Sequence, residues 1–146
     1  MSEGEILVRK MEEKDTPLIS SLDKKISGLY RPSMWKSEIQ HSINRSECIC
    51  LIAEIESEVV GFMIGTIHPW LFGVENAGWI EILGVDPTHT AKGVGKKLGE
   101  VVLEDFKSRG IKVVYTTVDW TSSDLLEFFK TLGMTKSGKI TLMKEL

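Results

Sequence analysis

The stretch WIEILGVDPTHTAKGVGKKLG, residues 79–99, reads in succession as strand, proline turn, glycine-bearing loop and helix start. Trp79 to Val85 is rich in β-branched and aromatic residues, the composition of a strand. Asp86-Pro87 stops it, because Pro87 has no N–H to give a ladder. Lys92-Gly93-Val94-Gly95-Lys96 then opens a helix. Its apolar residues Val94, Leu98, Val101, Val102 and Phe106 follow a 3.6-residue period. A helix start leaves its first N–H groups without intrahelical partners and carries the positive end of the macrodipole. Glycines there let an anion approach the backbone closely. The stretch therefore reads as a phosphate or pyrophosphate site, with Lys92, Lys96 and Lys97 adding charge.

The 146 residues suit one domain, 1–146, with one sizeable core. Net charge is −3, so the chain lacks the basic excess of a nucleic-acid binder. Its dense basic cluster sits at the glycine loop, which favours a small polyanionic ligand. Cys48 and Cys50 lie two apart on an expected strand, on one face and poorly placed to pair, as reduced core thiols. The opening MSEGEILVRK has no apolar signal-peptide core, and no run approaches the ~18 apolar residues of a membrane span. The expectation is a cytoplasmic protein with no membrane and no nucleic-acid partner. His41, His68 and His89 are scattered, and no Cys/His spacing suits a metal.

Outward from the central stretch, Glu5–Lys10 alternates as a strand. Asp15-Thr16-Pro17 starts a helix that ends at Gly28, and a second helix covers Met34 to Asn44. Cys48–Glu54 and Val59–Ile67 form a hairpin, with Gly61 and Gly65 marking a bulge or close approach, and 68–76 reads as a loop. After the glycine loop and its helix come a strand over 111–119, a helix ended by Gly133, and a last strand over 139–146. The order is β-αα-βββ-α-β-α-β, an α+β or α/β layered fold with a mixed sheet. The 139–146 tail is a candidate homodimer contact.

Two familiar phosphate loops do not fit. A Walker A loop would need a glycine at Thr90 and a Ser or Thr at Lys97. A Rossmann fingerprint would need its third glycine at Leu98 and a tighter turn after Val85. V-D-P-x5-G-x-G after a central strand instead resembles the acetyl-CoA motif of the GNAT (Gcn5-related) N-acetyltransferases. The hairpin AEIESEVVGFMIG and the late LLEFFKTLGM agree with that family's element order over nearly the whole chain. SMWKSEI resembles the second helix of its branch that acetylates protein N-termini.

The resemblance implies a mostly antiparallel, twisted sheet flanked by helices, with a splayed central strand pair. It implies acetyl-CoA as cosubstrate, with no metal. The pantetheine arm would lie along the backbone of Leu83, Gly84 and Val85. The pyrophosphate would lie against Thr90, Ala91, Lys92, Gly93, Val94, Gly95 and Lys96. An amine-bearing acceptor would enter from the other side of the gap and attack the thioester directly. Glu81 matches a place where some members hold a general base; burial in an apolar run would raise its pKa, whereas a solvated strand face would make it ordinary. Tyr30 and Arg31 fall in an acceptor-side loop. Trp120 and Asp119 are candidates for the amine pocket, with Asp119 equally readable as a turn cap.

Two departures stand out. Thr90 replaces the Gln or Arg that usually opens the family loop. Phe129 occupies the place of the Tyr that protonates the leaving thiolate, and Ser122 replaces an Asn, which leaves Ser122 a stand-in acid. Phe has no proton to give. Two hypotheses follow: an N-acetyltransferase acting on a primary amine, or a catalytically weak acyl-CoA-binding sensor of the same fold.

Overall fold

The computed structural model describes residues 4–146, apart from the side chain of Ala91. Five strands and four helices follow in the order β1 (Ile6–Lys10), α1 (Thr16–Ser27), α2 (Pro32–Ser42), β2 (Cys48–Ile55), β3 (Glu58–Leu71), β4 (Val74–Val85), α3 (Val94–Ser108), β5 (Val114–Thr116) and α4 (Ser123–Thr131). The strands form one sheet in the order β1-β2-β3-β4-β5. The first three pairings are antiparallel, and β5 runs parallel to β4.

The near-continuous apolar run of β2 is explained by two covered faces. Cys50 and Ile52 point to one side, with Phe62 and Ile64 of β3. There they meet Ile19 and Leu22 of α1 and Trp35 and Ile39 of α2. Ile49, Leu51 and Ala53 point to the other side, against Val94, Leu98, Val102 and Phe106 of α3. The 3.6-residue stripe read from the sequence is thus the buried face of α3. A Cβ on Gly61 would stand 2.9 Å from Val94, and one on Gly65 would stand 2.8 Å from Phe106. These glycines let α3 lie directly on the sheet. Both cysteines are free, as expected, and burial pushes the Cys50 thiol up to about 12.

Several expectations need correction. The loop expected over 68–76 is a continuous hairpin with only Phe72 and Gly73 between Leu71 and Val74. Both turn residues have positive φ, 52° and 78°, which matches the right-handed twist of the flanking strands. The second helix starts two residues early, at Pro32, since proline suits a first helical turn. The strand expected over 111–119 pairs only over 114–116, because β5 diverges from β4. The last strand expected over 139–146 forms no ladder among the described residues, for no strand of this chain lies beside it.

Candidate active site

The site is built where β4 changes partners. Gly78, Trp79 and Ile80 pair with Val114, Tyr115 and Thr116, and the Thr116 hydroxyl donates to the Ile80 carbonyl at 2.8 Å. From Glu81 to Val85, β4 has no β5 partner among the described residues, though β3 stays paired on its other side to Val85. The result is the splayed strand pair and an open backbone edge along 81–85. Leu83, Gly84 and Val85 lie on that edge. Gly84 is enclosed, for a Cβ there would stand 2.3 Å from the Phe62 ring.

The open edge runs into a turn held by Asp86, a residue that sequence reading took only as a strand stop. Asp86 is 1% exposed. Its N–H donates to the Val60 carbonyl at 2.8 Å. Its carboxylate accepts from the Thr88 N–H and hydroxyl, both at 2.9 Å, and from Lys25 Nζ of α1 at 2.7 Å. Burial alone pushes this carboxyl up, but the Lys25 and Thr88 hydrogen bonds outweigh it and hold the pKa at about 2. The spacing Asp-x-Thr, an Asx-turn signal, was visible in the sequence; Lys25, 61 residues distant, was not.

Pro87 to Lys92 form a 3₁₀ turn that includes Thr90. Gly93 then takes the left-handed conformation, φ 82°, with open space where a Cβ would be. The Lys97 N–H donates to the Gly93 carbonyl at 3.0 Å, closing the first turn of α3. The amides before it face out of the helix end, beside the exposed Lys92, Lys96 and Lys97. Gly95 is buried, and a Cβ there would stand 3.1 Å from the Phe128 ring of α4, so its lack of a side chain lets α4 pack on the start of α3. The side chain of Ala91 lies outside the described residues.

Glu81 is exposed rather than buried, because β4 bulges there. Ile82 pairs with Ile64 and Ile80 with Gly65, which leaves Glu81 as the extra residue. Its side chain meets His68 of β3, with Nε2 and Oε1 2.9 Å apart. Both line a 580 Å³ cleft on the α2 face, together with Glu38, His41, Thr66 and Asn76. His68 was read as a scattered loop histidine, since the strand through 68 was missed. Beside it an aromatic wall forms from Trp79, Tyr115 and Phe72, with Phe72 and Tyr115 edge to face at 5.0 Å.

The other expected site residues lie elsewhere. Arg31 forks its guanidinium onto the buried Asp23 at 2.8 and 3.0 Å, and Trp35 Nε1 donates a third bond to the same carboxylate at 2.9 Å. That network joins α1 to α2. Tyr30 is exposed, with Lys24 over its ring. Asp119 caps a turn by accepting from the Thr121 N–H and hydroxyl, which hold its carboxyl below the usual range. Trp120 is 78% exposed, under Lys136. Ser122 is half-buried just before α4, and its N–H donates to the Asp119 carbonyl at 2.9 Å. Phe129 is buried in the core on the α3 side.

A model of the acetyltransferase (GNAT) family matches residues 15–134. The chain belongs to that family. A GNAT relative, the mycothiol acetyltransferase of Amycolatopsis mediterranei, is 32% identical over 88 residues, 58% of this chain and 29% of that protein. The match spans less than a third of the length of such relatives. Among solved structures, a transcriptional regulator from Bacillus halodurans C-125 superposes with a TM-score of 0.84 at 21% identity, covering 97% of this chain and all of that one. An aminoglycoside N-acetyltransferase, AAC(6')-Iy in complex with CoA, gives 0.87 at 15% identity, covering 99% of this chain and 97% of that one. At these identities the likeness shows a shared fold.

Proposed function

We propose that this chain transfers the acetyl group of acetyl-CoA to a primary amine. The observation that carries this reading is the open edge of β4 from Glu81 to Val85, which runs straight into the Asp86-held turn and the start of α3. An extended pantetheine amide finds backbone partners along such an edge, as an added strand does. A pyrophosphate finds outward amides, the helix dipole and three lysines at its end. The residues present therefore fit the cosubstrate, with family membership supporting the same conclusion.

Acetyl-CoA supplies an activated thioester, whose carbonyl carbon bonds to the amine nitrogen as the carbon–sulfur bond breaks and a thiolate leaves. The chain's own work is to place and deprotonate the amine. Glu81 and His68 share a hydrogen bond in the acceptor-side cleft, so an amine proton accepted there can be passed between them. The Phe129 position offers no acid, but a thiol with pKa near ~8.5 leaves acceptably as the thiolate. Reduced Cys48 and Cys50 fit a cytoplasmic setting.

The test is thiol release from acetyl-CoA across a panel of peptide α-amines, lysine, polyamines and amino sugars. The expected result is turnover that falls about 10²–10⁴-fold in Glu81→Gln. Tight acetyl-CoA binding without turnover on any amine would overturn the reading in favour of a binding module, which the Phe129 replacement favours.

A further inference from the structure

The acceptor-side cleft holds a charge that the reaction does not use. Its lining includes three carboxylates, Glu38, Glu47 and Glu81, and a single permanent cation, Arg45. Arg45 is engaged within the cleft: its Nε donates to Glu47 Oε1 at 2.7 Å, and another of its nitrogens lies 2.6 Å from His41 Nε2. A guanidinium only donates, so His41 Nε2 accepts and holds no proton. Glu81 faces His68. Glu38 remains, half-buried on α2, with a hydrogen bond from the Ser42 hydroxyl one turn on, at 3.1 Å. Among the described residues no cation pairs with it.

The buried lining of the same cleft is polar as well. Ser42 and Thr66 line it although they are only 2% and 7% exposed. Among the described residues the Thr66 hydroxyl meets only the Cys48 thiol, 3.9 Å away, which leaves its hydrogen-bonding capacity for a ligand. At 580 Å³ the cleft is the size of a small-molecule site.

We propose, resting on the acetyltransferase reading above, that the acceptor is a small dicationic amine: one nitrogen is acetylated beside Glu81 and His68 while a second, still an ammonium, sits on Glu38. The two nitrogens meet different needs. The reacting one must lose its proton before it attacks the thioester. The other keeps its charge throughout, so its contact with Glu38 is the same in bound substrate and transition state and acts on KM rather than kcat. A second ammonium on the same short molecule also lowers the pKa of the reacting amine, which raises the fraction able to attack. The surplus of carboxylates selects too, because it repels an acceptor whose far end is itself a carboxylate.

Steady-state thiol release with matched acceptors tests this. The diamines from 1,3-diaminopropane to 1,6-diaminohexane are each compared with the amino alcohol and the amino acid of the same length. The expected result is a diamine whose kcat/KM exceeds that of its amino alcohol about tenfold, mostly through KM, with the amino acid lowest. Glu38→Gln should bring that ratio close to one, and Glu38→Lys should move the preference to the amino acid. Each ratio is internal to one protein sample, so loss of folded protein does not change it, and the native ratio is decisive by itself. Equal kcat/KM for diamine and amino alcohol in the native chain would overturn the dicationic acceptor and leave the acetyltransferase standing. So would a preference that survives Glu38→Gln, or a peptide α-amine that outruns every diamine. No turnover of any amine would instead end the acetyltransferase reading. Calorimetry of 1,4-diaminobutane with the CoA-bound chain then decides: binding that weakens about tenfold in Glu38→Gln supports the Glu38 contact. No binding, or binding that Glu38→Gln leaves unchanged, overturns it.

Discussion

Asp86 concentrates more of the cofactor-side geometry than any glycine of the loop. One buried carboxylate ties the turn after β4 to α1 through Lys25, orders Thr88, and through its own N–H anchors to Val60. Asp86→Ala frees three donors at once; the expected cost is about 1–3 kcal/mol in thermal unfolding, with acetyl-CoA affinity falling in the same variant by calorimetry. The pH dependence has a definite sign. The folded pKa of about 2 lies below the ordinary 3.8, so the contribution is fully present above that ordinary value. It is lost as pH falls through the folded value. Acid titration of Asp86→Asn should therefore show a shallower loss of stability between pH 3.8 and about 2 than the native chain. At the acceptor side the residue to test is His68. If it exchanges protons with Glu81, His68→Gln should lower kcat with KM for acetyl-CoA unchanged. An unaltered kcat would make the pair structural.

Among the elements, β4 decides the site, and its two irregularities do different jobs. The bulge at Glu81 turns that carboxylate into the cleft, and the divergence after Ile80 opens the edge along which we propose the cosubstrate lies. Gly84→Ala tests how tightly the sheet is packed beside that edge. Its Cβ would meet the buried Phe62 ring at 2.3 Å, so overpacking should cost about 1–3 kcal/mol, seen as a lower urea midpoint. How much of this was legible in the sequence follows from range. The α3 stripe, the Gly28 stop of α1 and the β2–β3 hairpin rest on local period and turn chemistry, and they read correctly. The V-D-P-x5-G-x-G spacing led to the right fold. The Phe72–Gly73 turn was missed because a bulky residue holds a left-handed φ beside an exposed Trp70, so the hairpin looked like a loop. That error hid His68. The pairing of Arg31 with Asp23 left no signal because the two residues sit on either side of the α1–α2 turn, and an ion pair across a turn has no periodic trace. The exposed and buried readings of Glu81 stayed open because a bulge cannot be read from one strand alone.

At the scale of the whole molecule, two cores clamp the sheet, and the open edge lies where α1, α3 and β4 converge. A ligand that spans β4 and the α3 start would add contacts between two elements that already pack in one core. Such a ligand binds the folded chain and not the unfolded one, so its binding energy appears directly as stability. At about 100 times its dissociation constant, acetyl-CoA should add about 2.7 kcal/mol, raising Tm by on the order of 5–10 °C for a chain of this size. ATP and NAD share the phosphates that suit the helix start but have no pantetheine to lie along Leu83, Gly84 and Val85. At equal concentration they should shift Tm by much less. Equal shifts from all three would mean that the α3 start binds phosphate without help from the open edge of β4, and the site would then be a general nucleotide site. Proline cannot donate to an added strand, but Gly84 also packs on Phe62, so the cleaner control alters the ligand. Dephospho-CoA keeps the pantetheine and the pyrophosphate and should retain most of the shift. Pantetheine alone, without the pyrophosphate, should retain little. That ordering would assign the stabilisation to the edge and the helix start acting together.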